Sequence, residues 1–189
     1  MKKWGSVIIV IVGFTGLSWG RGPGLTSGVS LTLPADTRGA GMGEAFSAAA
    51  SGVRGLWYNP ATLARHPDIT LTLTHTQFIE NISYDSFGAA VPFGSKNAVA
   101  LGGQFLRMAP IDAYDYSGTS AGSFSPQDTT LLLGYGKTIH KTSAGVTMKY
   151  LNSTIKDTAK TIAWDIGFHQ ELNNVSVGYT REHTTGSLR

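Results

Sequence analysis

From residue 69 to residue 180 the chain alternates apolar residues with small or polar ones at a period of two. Ile69, Leu71 and Leu73, for example, alternate with threonines, which gives one apolar face and one hydroxyl face. The same alternation recurs in runs at 87–93, 99–105, 131–135, 144–150, 162–168 and 175–179. The pattern predicts an all-β fold of about seven strands, several of them about ten residues long, which is longer than is typical of soluble sheets.

Most connections between these runs are short, as at Ser95-Lys96-Asn97 and Asn173-Asn174, so neighbouring strands are expected to be antiparallel. A strand of about ten residues, tilted by about 45°, covers roughly the 25 Å apolar band of an outer-membrane barrel. Residues 109–128 are rich in Gly, Ser, Asp and Pro and show no period. They are predicted to form a long extracellular loop.

The face of the predicted strands opposite the apolar one distinguishes a barrel from a soluble sandwich. A sandwich needs lysine and glutamate on its outer face, whereas glycine, alanine, threonine and serine prevail here. Small, weakly polar residues favour the lumen of a transmembrane barrel that another part of the chain fills. A hairpin around Asp157 would pair Lys149 with Asp165 inside the barrel, and Tyr150 with Trp164 outside it.

The first twenty residues have the order of a signal peptide, with Lys2 and Lys3, an apolar run from 7 to 17, and small residues at Ser18 and Gly20. Without the two lysines the basic excess of the chain falls from three residues to one, which excludes nucleic acid as a partner. The chain has no cysteine, so disulfides and thiol chemistry are excluded. Its charged fraction is 14%, about half the usual share, which favours the outer membrane of a Gram-negative-type bacterium.

Two motifs of the segment before the strands have ordinary structural interpretations. The glycines at 39, 41 and 43 lack the spacing and the preceding strand of a dinucleotide site, so a glycine turn followed by a short helix near 44–50 is predicted. The single Asn59-Pro60-Ala61 triplet lacks the second copy that a water channel needs. It is predicted to be a turn in which Pro60 begins a helical turn through Leu63.

The sequence shows no catalytic or metal-binding pattern. The five histidines are scattered without ligand spacing, and neither a His-Glu-x-x-His nor a Gly-x-Ser-x-Gly motif occurs. A non-enzymatic protein without a metal or other cofactor is therefore expected.

The stretch TRGAGMGEAFSAAASGVRGLWYNPATLAR resembles the N-terminal signature of the PorV/PorQ group of outer-membrane proteins, which is similar to the FadL-type channels and overlaps the UPF0164 family. The spacer of that signature usually carries acidic residues, where this chain has Ser51-Gly52-Val53-Arg54. Later segments such as AGVTMKYL and AWDIGF also look like strands of the family. The matching positions are Gly41, Met42, Gly43, Ala45, Phe46, Leu56, Tyr58, Asn59, Pro60, Ala61, Leu63 and Ala64.

The resemblance implies a FadL-like barrel of about fourteen strands, which typically spans the outer membrane, with the N-terminal segment folded into its lumen as a plug. Seven strands are about half of such a barrel, and the terminal aromatic residue is missing, so a truncated sequence or an N-terminal half is expected. The expected organisation is a signal peptide at 1–20, a plug-like segment at 21–65 and a partial barrel at 66–189. Trp57 and Tyr58 are the expected anchors of the plug, and Lys149 and Asp165 are expected to face the lumen.

Three functions remain open from the sequence. The resemblance implies a part in protein secretion or in surface attachment of cargo, in a type IX secretion setting, with outer-membrane lipid and secretion proteins or cargo as partners. A FadL-like channel for uptake of hydrophobic small molecules is the first alternative. A soluble exported β-sandwich that acts as a binding module is the second.

Overall fold

A computed structural model describes residues 28–155, 158–173 and 175–182. The predicted signal peptide, residues 1–20, lies outside the described residues. Residues 28–65, here called the N-terminal segment, contain short helices only, and the strands follow them. The helices are the 3₁₀ helices Val29–Thr32, Gly52–Arg54 and Pro60–Arg65 and the α-helices α1 (Thr37–Gly41) and α2 (Gly55–Tyr58).

The strands form one seven-stranded antiparallel sheet that curls into a half-barrel, and a separate two-stranded hairpin. The sheet order is β1-β2-β3-β6-β7-β8-β9, and the hairpin consists of β4 and β5. All seven predicted strands are therefore confirmed. Their bounds are β1 Thr70–Gln77, β2 Ser83–Phe93, β3 Asn97–Arg107, β4 Ile111–Tyr114, β5 Ser120–Phe124, β6 Gln127–Ile139, β7 Thr142–Thr154, β8 Thr158–Leu172 and β9 Val175–Arg181.

The hairpin β4–β5 lies within the predicted long loop at 109–128, which therefore contains two short strands. Its turn is closed by the Asp115 carboxylate, which accepts hydrogen bonds from the backbone N–H groups of Ser117 at 2.9 Å and Thr119 at 2.8 Å. Gly118 supplies the left-handed conformation that the turn requires, at φ 82°. With four and five residues, the two strands are too short to show a period in the sequence.

The helix predicted near 44–50 is wrong, because the α-helix lies earlier, at Thr37–Gly41. The Asp36 carboxylate accepts hydrogen bonds from the backbone of Arg38 and Gly39 and thereby caps the start of α1. Gly43 and Glu44 both have positive φ, at 60° and 63°, and the chain turns there. Residues 44–50 form turns instead of a helix.

The two faces of the sheet have opposite surroundings. The face here called the covered face carries polar and small residues and is buried under the N-terminal segment; Thr74, Ser86, Gln104, Thr130, Lys149 and Asp165 all lie on it, none more than 8% exposed. The opposite face, here called the bare face, carries the apolar residues of the alternating pattern; Leu71 is 76% exposed and Ile166 is 57% exposed. The apolar core lies between the N-terminal segment and the covered face.

Two further observations describe the layers of the fold and its helices. The larger sheet is a single layer, and its second face is covered by short helices rather than by another sheet. Within the described ranges, no helix has both the length and the apolar character needed to cross a membrane.

Candidate functional site

A row of glycines on the covered face receives the Asn59-Pro60-Ala61 stretch. Gly136, Gly145 and Gly167 are direct cross-strand neighbours on β6, β7 and β8. A Cβ added to Gly145 would lie 2.7 Å from the backbone nitrogen of Ala61, and one added to Gly136 would lie 2.7 Å from the carbonyl oxygen of Pro60. Backbone can approach backbone here only because no side chain intervenes.

Asn59 connects three parts of the molecule and is fully buried. Its side-chain oxygen accepts a hydrogen bond from the Ala61 N–H at 3.0 Å and caps the helix Pro60–Arg65. Its side-chain nitrogen donates to the carbonyl of Ser47 at 3.0 Å and to that of Phe168, on β8, at 3.2 Å. The predicted turn and the helical start at Pro60 are both present, but the role of Asn59 extends well beyond a local turn.

Three aromatic side chains anchor the N-terminal segment. The ring of Phe46 meets the ring of Tyr58 edge-on, with centroids 5.2 Å apart. Trp57 is 7% exposed and Tyr58 6% exposed, so neither lies in solvent. On β2 the Trp57 ring occupies the space that a side chain at Gly88 would fill, and on β3 the Leu56 side chain does so at Gly102.

The structure separates the predicted motif residues into two groups. Phe46, Trp57, Tyr58, Asn59 and Pro60 come together at the covered face. Gly41, Met42 and Gly43 do not join them; they are exposed, at the end of α1 and in the turn that follows.

Polar contacts hold the earlier part of the N-terminal segment in place. Asp36, which is 2% exposed, pairs with the Arg54 guanidinium at 3.0 Å. The Ser86 hydroxyl donates to the carbonyl of Ala35 at 2.5 Å. The Asp128 carboxylate accepts hydrogen bonds from the backbone N–H of Ser30, at 3.1 Å, and from the Ser153 hydroxyl. The segment is therefore tied to β2 and β6 by hydrogen bonds as well as packed against the sheet.

The predicted contact between Lys149 and Asp165 is present, but the predicted register is wrong. Lys149 Nζ lies 2.6 Å from Asp165 Oδ2, and the two side chains are 5% and 1% exposed. The sheet pairs Lys149 with Ala163 and Asp165 with Thr147, a shift of two residues. Because the side-chain period is two, such a shift keeps both residues on the covered face, and the long lysine side chain bridges the diagonal.

Tyr58 and Glu44 form the most strongly perturbed pair of the N-terminal segment. Partial burial raises the pKa of Glu44, a hydrogen bond from the Tyr58 hydroxyl at 3.3 Å opposes this, and the negative charge of Asp36 adds to it. Burial raises the pKa of Tyr58 as well, and the neighbouring Glu44 carboxylate adds to that. Both groups therefore favour their protonated forms.

Two cavities adjoin the part of the N-terminal segment that precedes Asn59. One, of about 430 Å³, is apolar and lies at the hairpin end of the sheet; its lining includes Val29, Leu106, Met108, Ile111, Phe124 and Asp128. The other, of about 310 Å³, is here called the polar chamber and lies between the N-terminal segment and the covered face; its lining includes Leu33, Glu44, Trp57, Gln104, Lys149 and Glu182. No cluster of three or more His, Asp or Glu residues suited to a metal ion occurs in the part of the chain that the structure describes.

Sequence reasoning missed the glycine row, the long-range hydrogen bonds of Asn59 and the roles of Asp36 and Gln104. A signal for the row was available, because Gly136, Gly145 and Gly167 share one parity on three consecutive predicted strands. No protein-family model matches the chain, and no curated protein matches it.

Proposed function

We propose that the chain forms the wall and plug of an outer-membrane β-barrel of the PorV/PorQ type, a non-enzymatic protein that takes part in protein secretion or in attachment of cargo at the cell surface. In this proposal the bare face meets lipid, the covered face lines the lumen, and the N-terminal segment is the plug. The secretion role is supported by the resemblance of residues 37–65 to the family signature.

The observation that carries the membrane assignment is the apolar bare face. Along β8, Ile162, Trp164, Ile166 and Phe168 are exposed between Lys160 and Gln170. Ten residues extend about 33 Å along a strand, or about 25 Å along the membrane normal at a tilt of about 40°, which is the height of a barrel's apolar band. In water such a face would be a large apolar patch of the kind that soluble monomers rarely expose.

The connections between strands and the aromatic residues support an orientation of the barrel across the membrane. At one end of the sheet the strands are joined by short turns, such as residues 140–141, and at the other end lies the β4–β5 hairpin. Outer-membrane barrels have short periplasmic turns and longer extracellular loops. Near the short-turn end Phe93 packs against Tyr135, whose hydroxyl donates to Asn97 at 2.9 Å, as in an interfacial aromatic girdle.

The test of the membrane assignment is fractionation of cells that express the full chain. We expect the protein in the outer-membrane fraction, extracted only with detergent, with gel migration that changes on heating. A protein that stays in solution without detergent would contradict the proposal and favour the soluble binding module. Co-purification of a secretion-machinery protein or of a secreted cargo with the tagged chain would test the secretion role separately.

Uptake of hydrophobic small molecules is the second candidate, and the apolar cavity is the observation that favours it. This cavity lies beneath the β4–β5 hairpin, where an entering lipophilic molecule would first meet the barrel. Under this candidate a fatty acid should compete with a fluorescent lipophilic probe for the purified protein. The substitution Met108→Asp should abolish the competition, whereas Asp112→Asn, on the exposed hairpin, should not. Fatty-acid binding without any secretion partner would favour uptake over secretion.

A further inference from the structure

The polar chamber contains buried polar atoms that the fold leaves without partners. Gln104 is 3% exposed, and its Oε1 atom has no hydrogen-bond partner among the described residues, while its Nε2 donates to Tyr84 at 2.8 Å. Trp57 is 7% exposed, and its Nε1 likewise has no partner in the described chain. An unpaired acceptor and an unpaired donor thus line the same chamber. Buried groups of this kind normally have a protein, solvent or ligand partner.

The charge of the chamber favours a cation. Its lining carries two carboxylates, Glu44 and Glu182, both exposed and therefore at its rim. The lysine of the lining, Lys149, lies 2.6 Å from Asp165, which balances its charge, although Lys149 also opposes the rise that burial causes in the pKa of Glu182.

The lining also supplies aromatic surface. Trp57 and Tyr58 both border the chamber. Aromatic rings beside carboxylates are the combination that recognises ammonium groups, through attraction of the cation to the ring face. A volume of about 310 Å³ has room for about ten water molecules, since each occupies about 30 Å³, or for one small organic molecule.

We propose that the polar chamber binds a small organic cation, an amine or quaternary ammonium compound that also carries a hydroxyl group. The cationic group lies toward the Glu44 and Glu182 carboxylates. The hydroxyl donates to Gln104 Oε1 and accepts from Trp57 Nε1. This ligand class differs from both the protein cargo and the hydrophobic molecules considered above, so the inference does not depend on the secretion or uptake role.

The test uses the full chain in detergent micelles and choline as the probe, with glycerol as a neutral hydroxyl compound and acetate as an anion. We expect saturable choline binding by calorimetry and a shift of the Trp57 indole N–H resonance, which is assigned with Trp57→Phe. Glycerol and acetate should bind at least about tenfold more weakly, since neither carries the positive charge that the carboxylates attract. The comparison of affinities uses only the unaltered protein.

Two variants locate the site. Glu44→Gln should weaken choline binding by about tenfold, since it removes one carboxylate charge that attracts the ammonium group. The charge-matched control Asp112→Asn, on the exposed hairpin, should leave it unchanged. Absence of saturable choline binding, equal binding of glycerol, or an unchanged affinity in Glu44→Gln would each overturn the proposal and leave a chamber that holds water only.

Discussion

The bare and covered faces of the sheet are made by alternate residues of the same strands, yet they differ in every property that matters for folding. On β7, Val146 and Tyr150 point to the bare face, while Thr147 and Lys149 point to the covered face. In a soluble sheet the apolar alternate residues are buried and the polar ones are exposed. Here the apolar alternate residues are exposed and the polar ones are buried. The sheet is therefore inverted relative to a soluble sheet.

The inversion has a consequence for the polar residues. A buried hydroxyl or charge needs a partner, and the N-terminal segment supplies one to Asp128 through the Ser30 N–H and one to Ser86 through the carbonyl of Ala35. The glycines of the covered face let that segment lie directly on the sheet. The covered face therefore depends on a specific fit, whereas under the proposed membrane assignment the bare face needs only an apolar surrounding. The following predictions test this difference.

The largest effect is expected from the buried ion pair. Lys149→Met removes the ammonium group of the buried ion pair with Asp165, which should lower the free energy of unfolding by about 3–5 kcal/mol. The control Lys160→Met, on the exposed bare face of the next strand, should change it by less than about 0.5 kcal/mol. Urea unfolding of the protein refolded into lipid vesicles measures both; equal effects would remove the distinction between the faces.

A charge on the bare face should be the next most costly change. Ile166→Lys places an ammonium group on the apolar bare face, opposite Arg181 on β9, and should destabilise the lipid-embedded protein by about 2–4 kcal/mol. Thr158→Lys, at the end of the same strand and on the same face, should cost at most about 1 kcal/mol. Ile166 is 57% exposed, so a water-facing sheet would tolerate both lysines equally.

Adjacent residues of β7 test the docking of the N-terminal segment. Gly145→Val pushes a side chain into the backbone of Pro60 and should cost about 1–3 kcal/mol by overpacking. Ala144→Val, whose side chain points to the bare face, should be nearly neutral in lipid. Limited proteolysis should cut near residue 60 faster in Gly145→Val alone; unchanged proteolysis would show that the glycine row is not needed for docking.

The smallest effect is a pH dependence. Because the folded protein raises the pKa of Glu44, it holds a proton there that the unfolded chain has released. The contribution of Glu44 is therefore present below the usual glutamate pKa and is lost as pH rises through the folded value. The slope of stability against pH above about pH 4.5 should be less negative in Glu44→Gln than in the wild type. Identical slopes would show that the raised pKa of Glu44 does not contribute to the pH dependence of stability.

Periodicity was enough to predict the sheet, because each of its seven strands alternates over at least five residues. It could not predict β4 and β5, which are short and close on an Asp115 turn, nor α1, whose start depends on the Asp36 cap. The face of Lys149 and Asp165 was predictable from parity, but their register was not, since a shift of two residues leaves parity unchanged.

The candidate site was predictable only in part. Burial of Trp57 and Tyr58 follows from their size and from the resemblance of the motif. The hydrogen bond from Asn59 to Phe168 joins residues 109 positions apart, and no local pattern encodes such a contact. The polar chamber is formed by the N-terminal segment, β3, β7 and the residue after β9, so only the folded chain brings its lining together.

The central claim, that the bare face meets lipid and the covered face does not, is tested most directly with the two described tryptophans. Trp164 lies on the bare face, 41% exposed, and Trp57 lies under the N-terminal segment, 7% exposed. In vesicles of phospholipids brominated on their acyl chains, we expect strong quenching of tryptophan fluorescence that Trp57→Phe retains and Trp164→Phe loses. Weak quenching in the wild type, with Trp164 quenched instead by aqueous iodide, would contradict the claim.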